Sequence, residues 1–224
     1  MVGLVFAGGH SPVTALAGRG AGSADGAACP RSRTAVAPRP EASEDSATML
    51  TGWAERARRG DQESLARLLT HEQPRLYATA LALLGCRWRA QDATQEALTV
   101  ACATVSRLRE PERVRAWLGR ILTTKAVDIL RAEARYSGPE TAPAQTDAGP
   151  GLAETVGGDL ALREALLGLD PDRRIVVALR FFLDLNYAEI VDVTGLPPGT
   201  VRSRLHRALL QLHECLVGDA GEHG

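Results

Sequence analysis

Aromatic residues are scarce, with three Trp, three Tyr and three Phe in 224 residues. Any core must therefore be built from Leu, Ala, Val and Ile. That suits helix packing better than a β-sandwich, where aromatic and β-branched side chains dominate. Cysteine is scarce too. Cys29, Cys86, Cys102 and Cys215 form no C-x-x-C pair and have no histidine at ligand spacing, which excludes a zinc module. They read as buried free thiols in a reducing compartment. No apolar run approaches the ~20 residues that a membrane span needs. The short apolar run in Met1–Ala7 lacks the basic stretch that would precede it in a secretory signal. The expected location is the cytoplasm.

Formal net charge is only −1, so no global basic excess argues for nucleic acid. Charge of one sign is instead segregated along the chain. Residues 51–136 carry fifteen basic against ten acidic side chains, and Lys125 is the only lysine in the protein. Between Ser137 and Asp159 the charged residues are Glu140, Asp147, Glu154 and Asp159, all negative.

The organisation follows from composition and periodicity. Residues 1–48 are rich in Gly, Ala, Ser and Pro without a helical period, and are expected to be a disordered leader. Met49 stands where periodic sequence begins, so either the leader is regulatory or translation starts at Met49. A first helical block is expected over 49–136. In it Asp61 caps a helix through Ser64–Leu69, and Pro74 opens a second helix that stops at Gly85. A third helix spans about 90–108, and a fourth follows Pro111 from about 112 to 135, presenting Val114, Trp117, Leu118, Ile121, Ile129 and Leu130. Residues 137–158, with three prolines and several glycines, read as an acidic tether. A second block is expected over 159–217, followed by a tail at 218–224. Asp170-Pro171 starts a helix there, Asn186 to Glu189 has capping-box spacing, and a last helix runs from Pro198 to about Leu216.

A short capped helix, a turn at Gly195-Leu196 and a longer helix form the layout of a helix-turn-helix. At about 100° per residue, Val201, Leu205, Ala208 and Leu212 share one side of the last helix. Gly199, Ser203, His206 and Arg207 take the opposite side, with Thr200 and Arg202 flanking and Arg204 nearer the core boundary. This outward face is basic and hydroxylic and has no carboxylate, as a helix entering a major groove requires. Arginine pairs two donors with guanine, and Ser or Thr meets a base edge or a phosphate. A solvated basic helix that binds nothing would show the same periodicity, but not the short capped helix and turn before it.

The segments Tyr187–Ile190 and Thr194–Ala208 resemble the promoter-reading domain of extracytoplasmic-function (group IV) sigma factors. Upstream, Gln91–Leu98 resembles the segment with which that family grips the polymerase clamp. Arg115–Ile121 and Asp128–Arg131 resemble the segment that melts and reads the −10 element. The resemblance spans about Gly60 to Leu216, in the family's order. It implies an all-α protein of two helical domains joined by a flexible acidic linker, the C-terminal one a helix-turn-helix. It further implies −35 contacts by Thr200, Arg202, Ser203, Arg204, His206 and Arg207, and −10 contacts by Arg113, Arg115, Trp117, Arg120, Thr124 and Arg131. Asp92, Gln95 and Glu96 would dock on polymerase. The implied partners are core RNA polymerase, promoter DNA and an anti-sigma factor, with no cofactor, no metal and no catalysis. Two positions depart from the family: Thr124 stands where Asn is frequent, and Pro197 where a Ser cap is frequent.

Two other readings remain. A stand-alone helix-turn-helix regulator would leave the Asp92–Glu96 and Trp117 segments without a role. An enzyme built on the carboxylates Asp92 and Glu96 would need a histidine at partner spacing, and none is there.

Overall fold

A computed structural model describes residues 44–136 and 160–218. Among the described residues there are eight α-helices and no strand. The N-terminal domain contains α1 (Glu44–Arg58), α2 (Gln62–Leu84), α3 (Arg87–Thr104) and α4 (Val114–Tyr136). Two 3-10 turns, Val105–Arg107 and Pro111–Arg113, lead from α3 into α4. The C-terminal domain contains α5 (Leu160–Leu167), α6 (Pro171–Phe181), α7 (Tyr187–Thr194) and α8 (Pro198–Gly218). The expected leader up to residue 43 and the tether at 137–159 lie outside the described residues, as do Cys29 and residues 219–224.

Several helix ends follow the sequence closely. The Asp61 carboxylate accepts the Glu63 N–H at the start of α2, and Gly85, at φ 66°, donates to the Leu81 carbonyl at its end. Asp170 caps α6 with Pro171 as its first residue. At α7 the capping box closes both ways: Asn186 accepts from the Glu189 N–H, and the Glu189 carboxylate accepts from the Asn186 N–H. Gly195, at φ 70°, adopts the left-handed conformation that lets the chain turn into α8.

Three expectations are corrected. Residues 44–48 belong to α1 and not to a leader, and α1 buries Leu50, Ala54 and Ala57 against α2. Pro74 lies inside a single continuous α2 rather than opening a second helix. Its fixed φ suits a helix, and the lost N–H bond is outweighed by anchors on both sides, Leu68 and Leu76, each fully buried. The described cysteines are free but not buried: Cys102 and Cys215 are exposed and Cys86 is half-buried.

The core of each domain is aliphatic. Leu68, Leu76, Leu81, Leu118 and Leu122 fill the first, and Leu169, Leu179, Leu183, Leu185 and Ile190 the second. Helix α4 buries Val114, Leu118, Leu122 and Ala126, leaving Trp117 and Ile121 half-buried at the edge of the core. The two cores are continuous, because α2 packs on α5 and α6 and α4 packs on α7. Glycines mark where the domains approach most closely. A Cβ at Gly119 would stand 2.6 Å from Leu183 Cδ2, and one at Gly85 would stand 2.5 Å from Leu167 Cδ2.

Candidate nucleic-acid interface

Helix α8 is fixed by its apolar seam: Val201, Leu205, Ala208 and Leu212 are all buried, in the register that the periodicity dictates. That orientation turns Arg202, His206 and Arg207 outward, where all three are exposed. Among the described residues neither Arg202 nor Arg207 has a hydrogen-bond or ion-pair partner. Thr200 and Ser203 are half-buried, and the Ser203 hydroxyl donates to the Thr200 carbonyl at 3.1 Å. Arg204 behaves differently. Its guanidinium reaches back to Asp172 on α6 at 2.8 Å, with only 20% of its side chain exposed. Burial pushes the Asp172 carboxyl up, and the Arg204 charge pulls it back. This pair ties the first turns of α8 to α6 and so sets the angle at which the outward face is presented.

On the N-terminal domain, the residues expected at the −10 element run from Arg113, in the turn before α4, along most of that helix to Arg131. Arg113 forms ion pairs with Glu110 at 3.2 Å and with Asp192 of α7. Arg120 is exposed and donates to the Asp192 backbone carbonyl. The Thr124 hydroxyl donates to the Arg120 carbonyl at 2.9 Å, and Arg131 lies 3.9 Å from Asp128. Arg115 is held from below. Its Nε and Nη2 donate to the two oxygens of Glu72 at 3.1 and 3.2 Å, and Glu72 has no exposed surface. The His71 ring lies 3.0 Å from the same carboxylate. A fully buried carboxylate needs such donors, because desolvating it alone is costly.

On α3, Asp92, Gln95 and Glu96 are all exposed on one side of the helix. Glu96 accepts from Lys125 of α4 at 2.8 Å. Trp88, four residues before Asp92, is 71% exposed on the same side. Sequence reasoning missed four residues. Glu72 and Asp172 anchor arginines, Asp192 joins the domains, and Trp88 borders the acidic patch. Only Trp88 carried a usable signal, an aromatic residue on an otherwise polar helix face.

Three features define the class before any relative is considered: a helix-turn-helix with an open basic face, a second arginine-lined helix, and a separate acidic face. They describe a DNA-binding protein that also docks on a protein partner. A model of sigma-70 region 2 matches residues 68–136, and a model of sigma-70 region 4 matches residues 159–212. The chain is 32% identical over 147 residues to RNA polymerase sigma factor SigV of Bacillus subtilis, covering 65% of this chain and 86% of that protein. With the ECF RNA polymerase sigma factor SigW of the same organism it shares 27% identity over 172 residues, 71% of this chain and 92% of that one. Among solved structures, the sigma factor RpoE of Bartonella quintana, in complex with the anti-sigma factor NepR, superposes with a TM-score of 0.56 at 26% identity, covering 67% of this chain and 95% of that one. CnrH, in complex with the cytosolic domain of CnrY, has the same fold, with a TM-score of 0.58 at 24% identity over 76% of this chain and 99% of that one. The chain belongs to the extracytoplasmic-function sigma factors of bacterial RNA polymerase. It binds polymerase and directs promoter recognition and transcription initiation. The region 2 match accounts for the block that a stand-alone regulator would leave without a role.

Proposed function

We propose that promoter contacts divide between the two domains, with α8 reading the −35 element and α4, with the turn before it, holding the −10 element. The observation that carries this is the outward pair Arg202 and Arg207, without a partner among the described residues, on a helix whose opposite seam Val201, Leu205, Ala208 and Leu212 is buried. Thr200, Ser203 and His206 complete that face, and Arg204 supports it through Asp172. At the −10 element, Arg113, Arg120, Thr124 and Arg131 line the route of the strand. The half-buried Trp117 offers a stacking edge, and Arg115 is positioned by Glu72. The N-terminal domain in this reading begins at Glu44, and residues 137–158 serve as its tether to the second.

Asp92, Gln95 and Glu96 form the polymerase-docking patch, an acidic and amide-bearing surface suited to basic partners. The protein acts without catalysis of its own, in the cytoplasm beside polymerase. An anti-sigma factor is a natural further partner, since the Bartonella relative was solved bound to one.

Reversing charge at Asp92 and Glu96 tests the docking assignment. Core polymerase should be retained at least about tenfold less well, the equivalent of about 1.4 kcal/mol. Promoter footprints of the parent, taken with and without core polymerase, separate a sigma factor from a regulator that binds alone. Unchanged core affinity in the reversed variant would remove the patch from the docking surface.

A further inference from the structure

Helix α3 keeps its smallest side chains inside and its largest outside. Ala90, Ala93, Thr94, Ala97 and Ala101 are buried, which lets α3 lie close against α2 and α4. At about 100° per residue, Trp88 points the opposite way. It is the most exposed large hydrophobic residue among those described, at 71% against 55% for Phe181. The other two tryptophans, Trp53 and Trp117, are half-buried and packed on the core. Folding of α3 thus gives Trp88 nothing to cover.

A single exposed apolar residue needs no explanation by itself. The setting of Trp88 is what calls for one. Within about 80° of it around the helix, the charged residues are Asp92, one turn on, and Glu96, two turns on. Both are acids. Arg87 and Arg89 leave the helix about 100° to either side. Glu96 is held by Lys125, whereas Asp92 is exposed without a partner among the described residues. The stripe from Trp88 to Glu96 is roughly 12 Å long at 1.5 Å per residue. It therefore offers a flat apolar ring beside an unpaired carboxylate.

We propose that Trp88 is the anchor of the polymerase-docking surface, covered by the stem of an arginine or lysine of core polymerase whose charged head reaches Asp92. The inference rests on the reading of Asp92, Gln95 and Glu96 as the docking patch, and adds the contact that dominates its affinity. Long cationic side chains suit both halves of the stripe, since their methylenes cover apolar surface while the head stays polar. Tryptophan is the aromatic residue that attracts such cations best, and it is enriched among the few residues that carry an interface. The carboxylates alone would give steering and a salt-sensitive attraction; the indole gives the surface something to desolvate.

The test is equilibrium binding of the full chain to core polymerase. Trp88→Ala should weaken it at least about thirtyfold, and Trp88→Phe by about threefold or less. Both variants should keep the parental circular dichroism and thermal midpoint, because the indole takes no part in the core. Parental affinity in Trp88→Ala, with a loss on reversing Asp92 and Glu96, would overturn the anchor and leave the acidic patch standing. A loss in Trp88→Ala with no effect of charge reversal would remove the patch and its shared cation. Asp92→Ala tests the sharing directly. If one cation serves both residues, adding Asp92→Ala to Trp88→Ala should cost no more than about threefold further. Single losses that multiply in full would overturn the shared cation. Sedimentation of the parent without polymerase should show a monomer, and a dimer that Trp88→Ala dissolves would overturn polymerase as the occupant.

Discussion

The two faces proposed to meet DNA use the same side chain in opposite conditions. On α8, Arg202 and Arg207 are exposed with no partner among the described residues, whereas Arg113, in the turn before α4, and Arg115 and Arg120 on α4 each already hold a carboxylate or a carbonyl. The free face is laid out by its own helix, because an apolar seam on one side dictates what the other presents, and the Arg204–Asp172 pair fixes its angle to α6. The engaged face depends on a buried acid beneath it and on the neighbouring domain above it. A basic face can thus be laid out within one helix, or assembled by residues distant in sequence.

The largest effect should come from the seam of the free face. Leu205 is buried, and Leu205→Asp places a carboxylate there without a partner, which should cost more than about 4 kcal/mol and abolish the C-terminal fold. Thermal unfolding should then lose the second domain's helix signal and −35 binding together. A folded variant with parental −35 binding would contradict the orientation of α8. On the engaged face, Glu72→Ala leaves the Arg115 guanidinium, 13% exposed, without its main partner. The expected cost is roughly 3–5 kcal/mol, read as a shift in the urea midpoint. A loss under about 1 kcal/mol would mean that the pair does not organise α4.

Smaller effects separate base reading from phosphate contact. Truncating Arg202 or Arg207 to Ala should leave the fold intact. It should cost roughly 1–3 kcal/mol of promoter affinity with relaxed −35 preference if a guanine is contacted. If only phosphate is met, all sequences weaken alike and the salt slope falls by about one. Transcription from a library of −35 variants distinguishes the two outcomes. Full activity with unaltered preference in the double variant would exclude α8 as the reader. The smallest effect is expected at Asn186, where Asn186→Ala removes the cap of α7 at about 1 kcal/mol. The loss should appear in the urea midpoint of the C-terminal domain, and its absence would mean that packing alone orders this short helix.

The free face was legible in the sequence because its determinants are local. Seam periodicity, the Asn186–Glu189 box and Gly195 all act within about four residues, and the structure repeats them in register. The engaged face was not legible in the same way. Glu72 and Arg115 are 43 residues apart, and Arg113 and Asp192 are 79 apart, so no spacing rule links them. Pro74 misled for a related reason: a proline breaks a helix only where packing does not hold both halves, and that packing comes from α1, α3 and α4. Helix α1 escaped notice because its burial is carried largely by alanine, which leaves a faint hydrophobic period.

Lys125, the one lysine of the chain, bonds Glu96 of the acidic patch. An amine-reactive label therefore has a single side chain to find, and that side chain lies at the edge of the surface proposed to meet polymerase. The protein carries a built-in reporter, since the rate at which Lys125 is acylated should fall when polymerase covers its neighbour.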